Sequence, residues 1–250
     1  MDKYSEILMS FGTKETLNPK IWNGVEGSNP ILKPAVRKAL LNIASEFMGF
    51  LGEDLFVDDV RFTGSLANFN WSEFSDIDLH LYVDFSQFDP KDREVYKELF
   101  QLKKTLFNTT HDITVKGYEV ELYAEDVNES HFSTGVYSVL FDEWVHKPEK
   151  EEVKIDKEFL TKKVGNVMER IDSLIEEISD DDLDQGLKKI ESFKDKLKKY
   201  RSSGLEKDGE FSYENLVFKF LRRNGYIDKL FEYKNKLMDK KLSLENQEIE

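Results

Sequence analysis

Between residues 76 and 83, Asp-Ile-Asp-Leu-His-Leu-Tyr-Val, polar and apolar positions alternate, which is the period of a half-buried strand. Further strands are predicted over residues 113–123, as two short runs around Lys116-Gly117, and over 136–140. Helical spacing governs two segments, one before the first of these strands and one between it and the second. Pro34 fits a first turn, and Val36, Leu40, Leu41, Ile43, Ala44, Phe47 and Met48 share one face to about Gly49. Asp89 or Asp92 can cap a second helix to about residue 107, whose Tyr96, Leu99, Phe100, Leu102, Leu106 and Phe107 read as core. Residues 1–28 lack clear periodicity and read as an arm. After Pro148 and the charged stretch 149–152 the strand pattern stops. Helices are then expected over about 156–179 and 182–202 as an antiparallel hairpin, with a Gly-containing loop at 203–210. A further pair follows near 212–223 and 225–243, with Ser212 as N-cap, and residues 244–250 are expected to fray. The predicted class is α+β: a mixed sheet with helices on one face in residues 1–148, then an all-helical region over 149–250.

Composition narrows the partners more than the fold. There is no cysteine, so no disulfide framework and no thiolate metal site. No apolar run reaches the length of a membrane span, and the start lacks a secretory apolar core, so a cytoplasmic setting without membrane contact is expected. The formal charge of −14 gives no general attraction for a phosphate backbone, and nonspecific nucleic-acid binding is not expected. Local basic pairs such as Lys188-Lys189 and Arg222-Arg223 are the exceptions.

Candidate chemistry lies at residues 62–81. Asp76 and Asp78 straddle one isoleucine, so on a strand both carboxylates leave the same face, with Cα atoms ~6.6 Å apart. Two such groups can bridge divalent ions about 3.5–4 Å apart, and hard oxygen ligands suit Mg²⁺ or Mn²⁺. Ten residues before Ser75, Gly64-Ser65 forms a turn in which glycine lets the backbone approach a ligand. Ser65 offers a hydroxyl, and a short helix opening at Leu66-Ala67-Asn68 would present amides to a triphosphate.

Gly-Ser, a gap of about ten and Asp-apolar-Asp on a strand resemble the signature of the polymerase-beta-like nucleotidyltransferase superfamily. The string Thr63-Gly64-Ser65-Leu66-Ala67-Asn68 with Trp71-Ser72 and Ser75-Asp76-Ile77-Asp78-Leu79-His80 is most similar to predicted nucleotidyltransferases of large tailed bacteriophages. The resemblance implies a nucleotidyltransferase core and, if phage-encoded, a host-cytoplasmic setting. It also implies a third carboxylate on a neighbouring strand. Glu121, between Val120 and Leu122, has the matching context, and Glu119 is its rival on the same face.

The implied reaction is attack of an acceptor hydroxyl on the α-phosphate of a nucleoside triphosphate such as ATP, with release of pyrophosphate. Asp76, Asp78 and Glu121 would form the metal site, with Glu121, longer than the Asp common at this position, either binding metal directly or working chiefly as the general base; Gly64 and Ser65 would hold phosphate. Ser133, Thr134, Tyr137 and Ser138 are candidate donors to phosphate or sugar, with an ordinary turn and strand as the alternative. His131 and His146 are weaker candidate ligands. The acceptor stays open among an RNA end, a protein hydroxyl, a small molecule or another nucleotide. An inert nucleotide-binding module and a cyclic-nucleotide or oligonucleotide synthase are the competing readings.

Overall fold

A computed structural model describes residues 2–52, 55–128, 133–179 and 182–243. His131, Asp180, Asp181 and the tail 244–250 lie outside them. The chain forms two compact units, Thr13–Glu152 and a second made of Met1–Gly12 with Val153–Glu250. The first residues thus group with the C-terminal helices, whereas the sequence pattern places them with the sheet. The fold is α+β, with a mixed six-stranded sheet and C-terminal helices.

The segment expected to be irregular opens on a helix, α1 (Lys3–Ser10), capped by Asp2, whose carboxylate accepts from Ser5 N–H. In the sheet unit, β1 (Trp22–Asn23) and β2 (Ile31–Leu32) form a small antiparallel pair. Next comes α2 (Pro34–Leu51), with Pro34 in its first turn. The large sheet is built from β3 (Val57–Thr63), β4 (Ile77–Val83), β5 (Thr114–Val115), β6 (Tyr118–Asp126), β7 (Val136–Ser138) and β8 (Glu143–His146); α3 (Arg93–Thr110) connects β4 to β5. Their order is β5-β6-β4-β3-β7-β8, and among the described residues only β4 and β6 pair in parallel. A parallel pair needs a crossover, and α3 supplies it. Lys116 and Gly117, both with positive φ, make the tight turn between β5 and β6.

Alternation along β4 sorts the sheet into two faces. Ile77, Leu79, Leu81 and Val83 are 0% exposed and join Val60, Phe62, Val120 and Leu122 in one core with Leu40, Ala44, Phe47 and Leu51 of α2 and Phe100 and Phe107 of α3. Burial of such side chains stabilises by ~1.5–3 kcal/mol each. Trp22 caps this core, stacked on Phe62 and Trp144, with its indole N–H donating to Leu66 O at 2.8 Å. The other face carries Asp78, His80, Glu121, Tyr123 and Glu125.

The helical unit contains α4 (Lys157–Glu176), α5 (Leu183–Asp208), α6 (Tyr213–Arg223) and α7 (Tyr226–Leu242). Ser212 caps α6 as expected, accepting from Asn215 N–H. α5 runs through the predicted loop at 203–208, because Gly204 is buried against α6 and packing outweighs the ~1 kcal/mol cost of glycine in a helix. The two helices of the expected hairpin, α4 and α5, each pack on α6 and α7, and a groove lies between them. α1 closes the unit through Ile7, Leu8 and an edge contact of Tyr4 with Phe220. No helix among the described residues is long and apolar enough to cross a membrane.

Candidate metal centre

Parallel register sets Asp78 on β4 directly beside Glu121 on β6. Asp76, two residues before Asp78 and just ahead of the strand, points into the same space. One carboxylate oxygen from each of the three lies within 4.8 Å of the others, and all three residues are half-buried. Glu119 does not join them; it is exposed and pairs with Thr114 on β5. Three converging carboxylates of this spacing can hold a metal ion, and partial burial raises the cost of their mutual repulsion without one.

Gly64 fixes the neighbouring turn. Its φ of 76° lies in the left-handed region, and a Cβ built there would stand 1.8 Å from Asp78 Oδ2. Only glycine lets the end of β3 press against this carboxylate. The expected short helix after it is a single 3₁₀ turn, Ser65–Ala67. Ser65 Oγ donates to Ser75 Oγ at 2.7 Å, and Ser75 Oγ accepts from Ser72 N–H at 2.9 Å, so the turn is tied to the segment that leads into Asp76.

Asn68 extends the turn to a second loop. Its side-chain N–H donates to Gly64 O at 2.8 Å, and its Oδ1 accepts from Thr134 Oγ1 at 2.7 Å. Gly135 passes so close that a Cβ would fall 2.1 Å from Ala67 O. Thr134 is thereby brought beside the Gly-Ser turn, while Ser133 Oγ donates to Gly135 O within its own loop.

Tyr137 and Ser138 are placed elsewhere. Register with Phe62 puts Tyr137 on the apolar face, 0% exposed, with its hydroxyl donating to Asp142. Burial, the bond to Asp142 and that carboxylate's charge hold its phenol well above the ordinary value. Ser138 is buried and donates to Asp59 Oδ1 at 2.6 Å. Asp59 also accepts from Arg61 Nε at 2.8 Å, and the Arg61 guanidinium lies 4.0 Å from the Tyr82 ring centre. Burial first, and then Glu125, pushes Tyr82 up to about 12 against the opposing pull of Arg61. Both hydroxyls therefore serve the sheet. His146 is exposed on β8 and is not part of the acid cluster.

No family model, curated protein or solved structure matches this chain. The chemistry of the site rests on its own atoms.

Several of those atoms belong to residues the sequence motif does not single out. Tyr123 donates its hydroxyl to Glu121 Oε2 at 2.6 Å. Burial, joined by the charges of Asp78 and Glu121, raises its phenol and keeps it a donor. His80 stacks on Tyr123, rings 4.5 Å apart, and its Nδ1 lies 3.0 Å from Glu125. Lys104 reaches from α3 to within 4.1 Å of the Tyr123 ring centre. Burial lowers its pKa, and the carboxylates of Glu121, Glu125 and Asp78 oppose that shift. Tyr123 was findable, since it follows Glu121 by two on the same strand face. Lys104 carries no sequence signal, because it lies on a helix and only the crossover brings it to the acids.

Proposed function

We propose that this protein is a metal-dependent nucleotidyltransferase with a polymerase-beta-like core, transferring a nucleoside monophosphate from a triphosphate to an acceptor hydroxyl. The observation that carries the reading is the convergence of Asp76, Asp78 and Glu121 within 4.8 Å beside the Gly64 turn. An all-oxygen, half-buried donor set fits Mg²⁺ or Mn²⁺. Asp76, Asp78 and Glu121 would hold the metal, which when bound supplies charge neutralisation on the phosphates and acidifies the attacking hydroxyl.

The protein's own groups divide the remaining work. Glu121 takes the proton of the acceptor hydroxyl, held in orientation by Tyr123. The acceptor oxygen bonds to the α-phosphorus as the bond to the β-phosphate oxygen breaks, and pyrophosphate leaves. Ser65 and the amides that follow Gly64 hold the β or γ phosphate; the hydrogen bonds of the turn begin only at Ala67 N–H.

The test is incubation with each α-labelled triphosphate and Mg²⁺ or Mn²⁺, with and without total RNA and protein, followed by location of the label. Transfer to one fraction with pyrophosphate release is expected. Triphosphate binding without release would replace this reading with an inert nucleotide-binding module, and a soluble cyclic or oligomeric product would change the acceptor to a nucleotide. Mn²⁺ should also raise Tm, by about 2.7 kcal/mol of stability at a hundred times its Kd.

A further inference from the structure

The groove between α4 and α5 has a volume of about 460 Å³ and is lined by four cations, Arg170, Lys188, Lys189 and Lys196, against one acid, Glu177. In a chain of net charge −14 that balance is inverted. Among the described residues none of the four sits within ion-pair distance of a carboxylate. Other lysines of the same unit do: Lys163 meets Glu214, Lys229 meets Asp172, Lys234 meets Glu191 and Lys241 meets Asp184, at 2.6–2.9 Å. Lys188, Lys189 and Lys196 line the α5 wall and Arg170 faces them from α4, so an anion between the two helices meets positive charge from both sides.

We propose that this groove binds a single strand of nucleic acid through its phosphates. Shape selects the strand. From Lys188 to Lys196 α5 rises ~12 Å, the span of three or four stacked phosphates at ~3.4 Å each. A trough between two helices admits one strand, whereas a duplex, whose major groove alone is ~12 Å wide, is too broad. Phe193, half-buried in the same wall, offers a ring for a base, and cations along the backbone with an aromatic platform form the usual sequence-tolerant single-strand site. The inference uses the helical unit alone and stands apart from the acid cluster.

The experiment is fluorescence anisotropy of the full chain with labelled 12-nucleotide RNA and DNA of mixed sequence, titrated with salt. Four phosphate contacts predict a log–log slope of about −2.8, or roughly a 50-fold loss of affinity between 50 and 200 mM salt. The variant R170A/K188A/K189A/K196A should bind at least tenfold more weakly with a slope near zero, and F193A about fivefold more weakly. The control K162A/K198A/K199A/K236A removes the same charge from exposed positions outside the groove and should bind as the parent does. Circular dichroism confirms that helix content is kept. RNA bound better than DNA, or the reverse, identifies which strand the groove takes. No binding at 50 mM salt, an equal loss in the control, or equal competition by tripolyphosphate or polyglutamate would overturn the proposal.

Discussion

Carboxylates are used in opposite ways in the helical unit and in the acid cluster of the sheet. In the helical unit they meet lysines one by one: Asp172 with Lys229, Asp184 with Lys241, Glu191 with Lys234 and Glu214 with Lys163. On the sheet, Asp76, Asp78 and Glu121 meet one another. Paired surface charges contribute ~0–1 kcal/mol each, while clustered acids oppose folding until something positive joins them. The acid cluster is held by a dedicated glycine and a tyrosine hydroxyl, and it is the place to which the proposed chemistry is assigned.

The contrast breaks most sharply at the cluster. Asp76→Asn with Asp78→Asn is expected to lower transferase turnover by ~10³-fold or more, in line with loss of a charge-stabilising group set, and to leave Tm unchanged or higher, since two like charges are gone. Turnover retained in the purified double variant, or a large fall in Tm, would make these acids structural and end the distinction.

Gly64→Ala tests the turn that crowds Asp78. The new Cβ clashes with the carboxylate and adopts a left-handed backbone, so ~1–3 kcal/mol of stability should be lost in urea unfolding, together with the Mn²⁺-induced rise in Tm. A variant that keeps its metal response shows that Asp78 has room to move. Tyr123→Phe keeps the ring beside His80 and removes only the hydroxyl on Glu121. About a tenfold fall in kcat with little change in Tm is expected, for ~1.4 kcal/mol lost at the transition state; an unchanged kcat would leave Glu121 positioned by the strand alone.

The smallest effect belongs to the paired acids. Burial is the largest influence and would raise the carboxyl of Glu214, but the hydrogen bond from Lys163, a backbone hydrogen bond and the charges of Lys163 and Lys207 together outweigh it, and the pKa is lowered on folding. A depressed carboxyl stabilises above its unfolded value of ~4.3 and loses that contribution as pH falls through the lower folded value. Glu214→Gln should therefore cost ~1 kcal/mol or less at pH 7, with the difference from the parent closing towards pH 3 and turnover unaffected. A gap that persists at pH 3 would show that packing, and not the charge pair, is what the substitution removes.

Legibility followed the range of the forces involved. The helix from Pro34, the strand at 76–83, the tight turn at Lys116-Gly117 and the Ser212 cap are local patterns, and the fold carries all of them. The choice between Glu121 and Glu119 was settled by the register of β6 on β4 and on β5. Tyr137 and Ser138, attractive as donors, are committed to Asp142 and Asp59. Helix α1 was missed because its eight residues carry too little periodicity to stand out, and burial against the helical unit is what forms it.

By itself the sequence determined which segment brings two acids to one side, where a glycine must turn, and that residues beyond 150 are helical, because side-chain period and backbone restriction act over a few residues. Only the tertiary structure decided that the acid beside Asp76 and Asp78 is Glu121, that Lys104 comes near it, and that α4 and α5 stand apart around four cations. Those outcomes depend on strand register, on a crossover and on helix packing, which join positions that local pattern leaves independent.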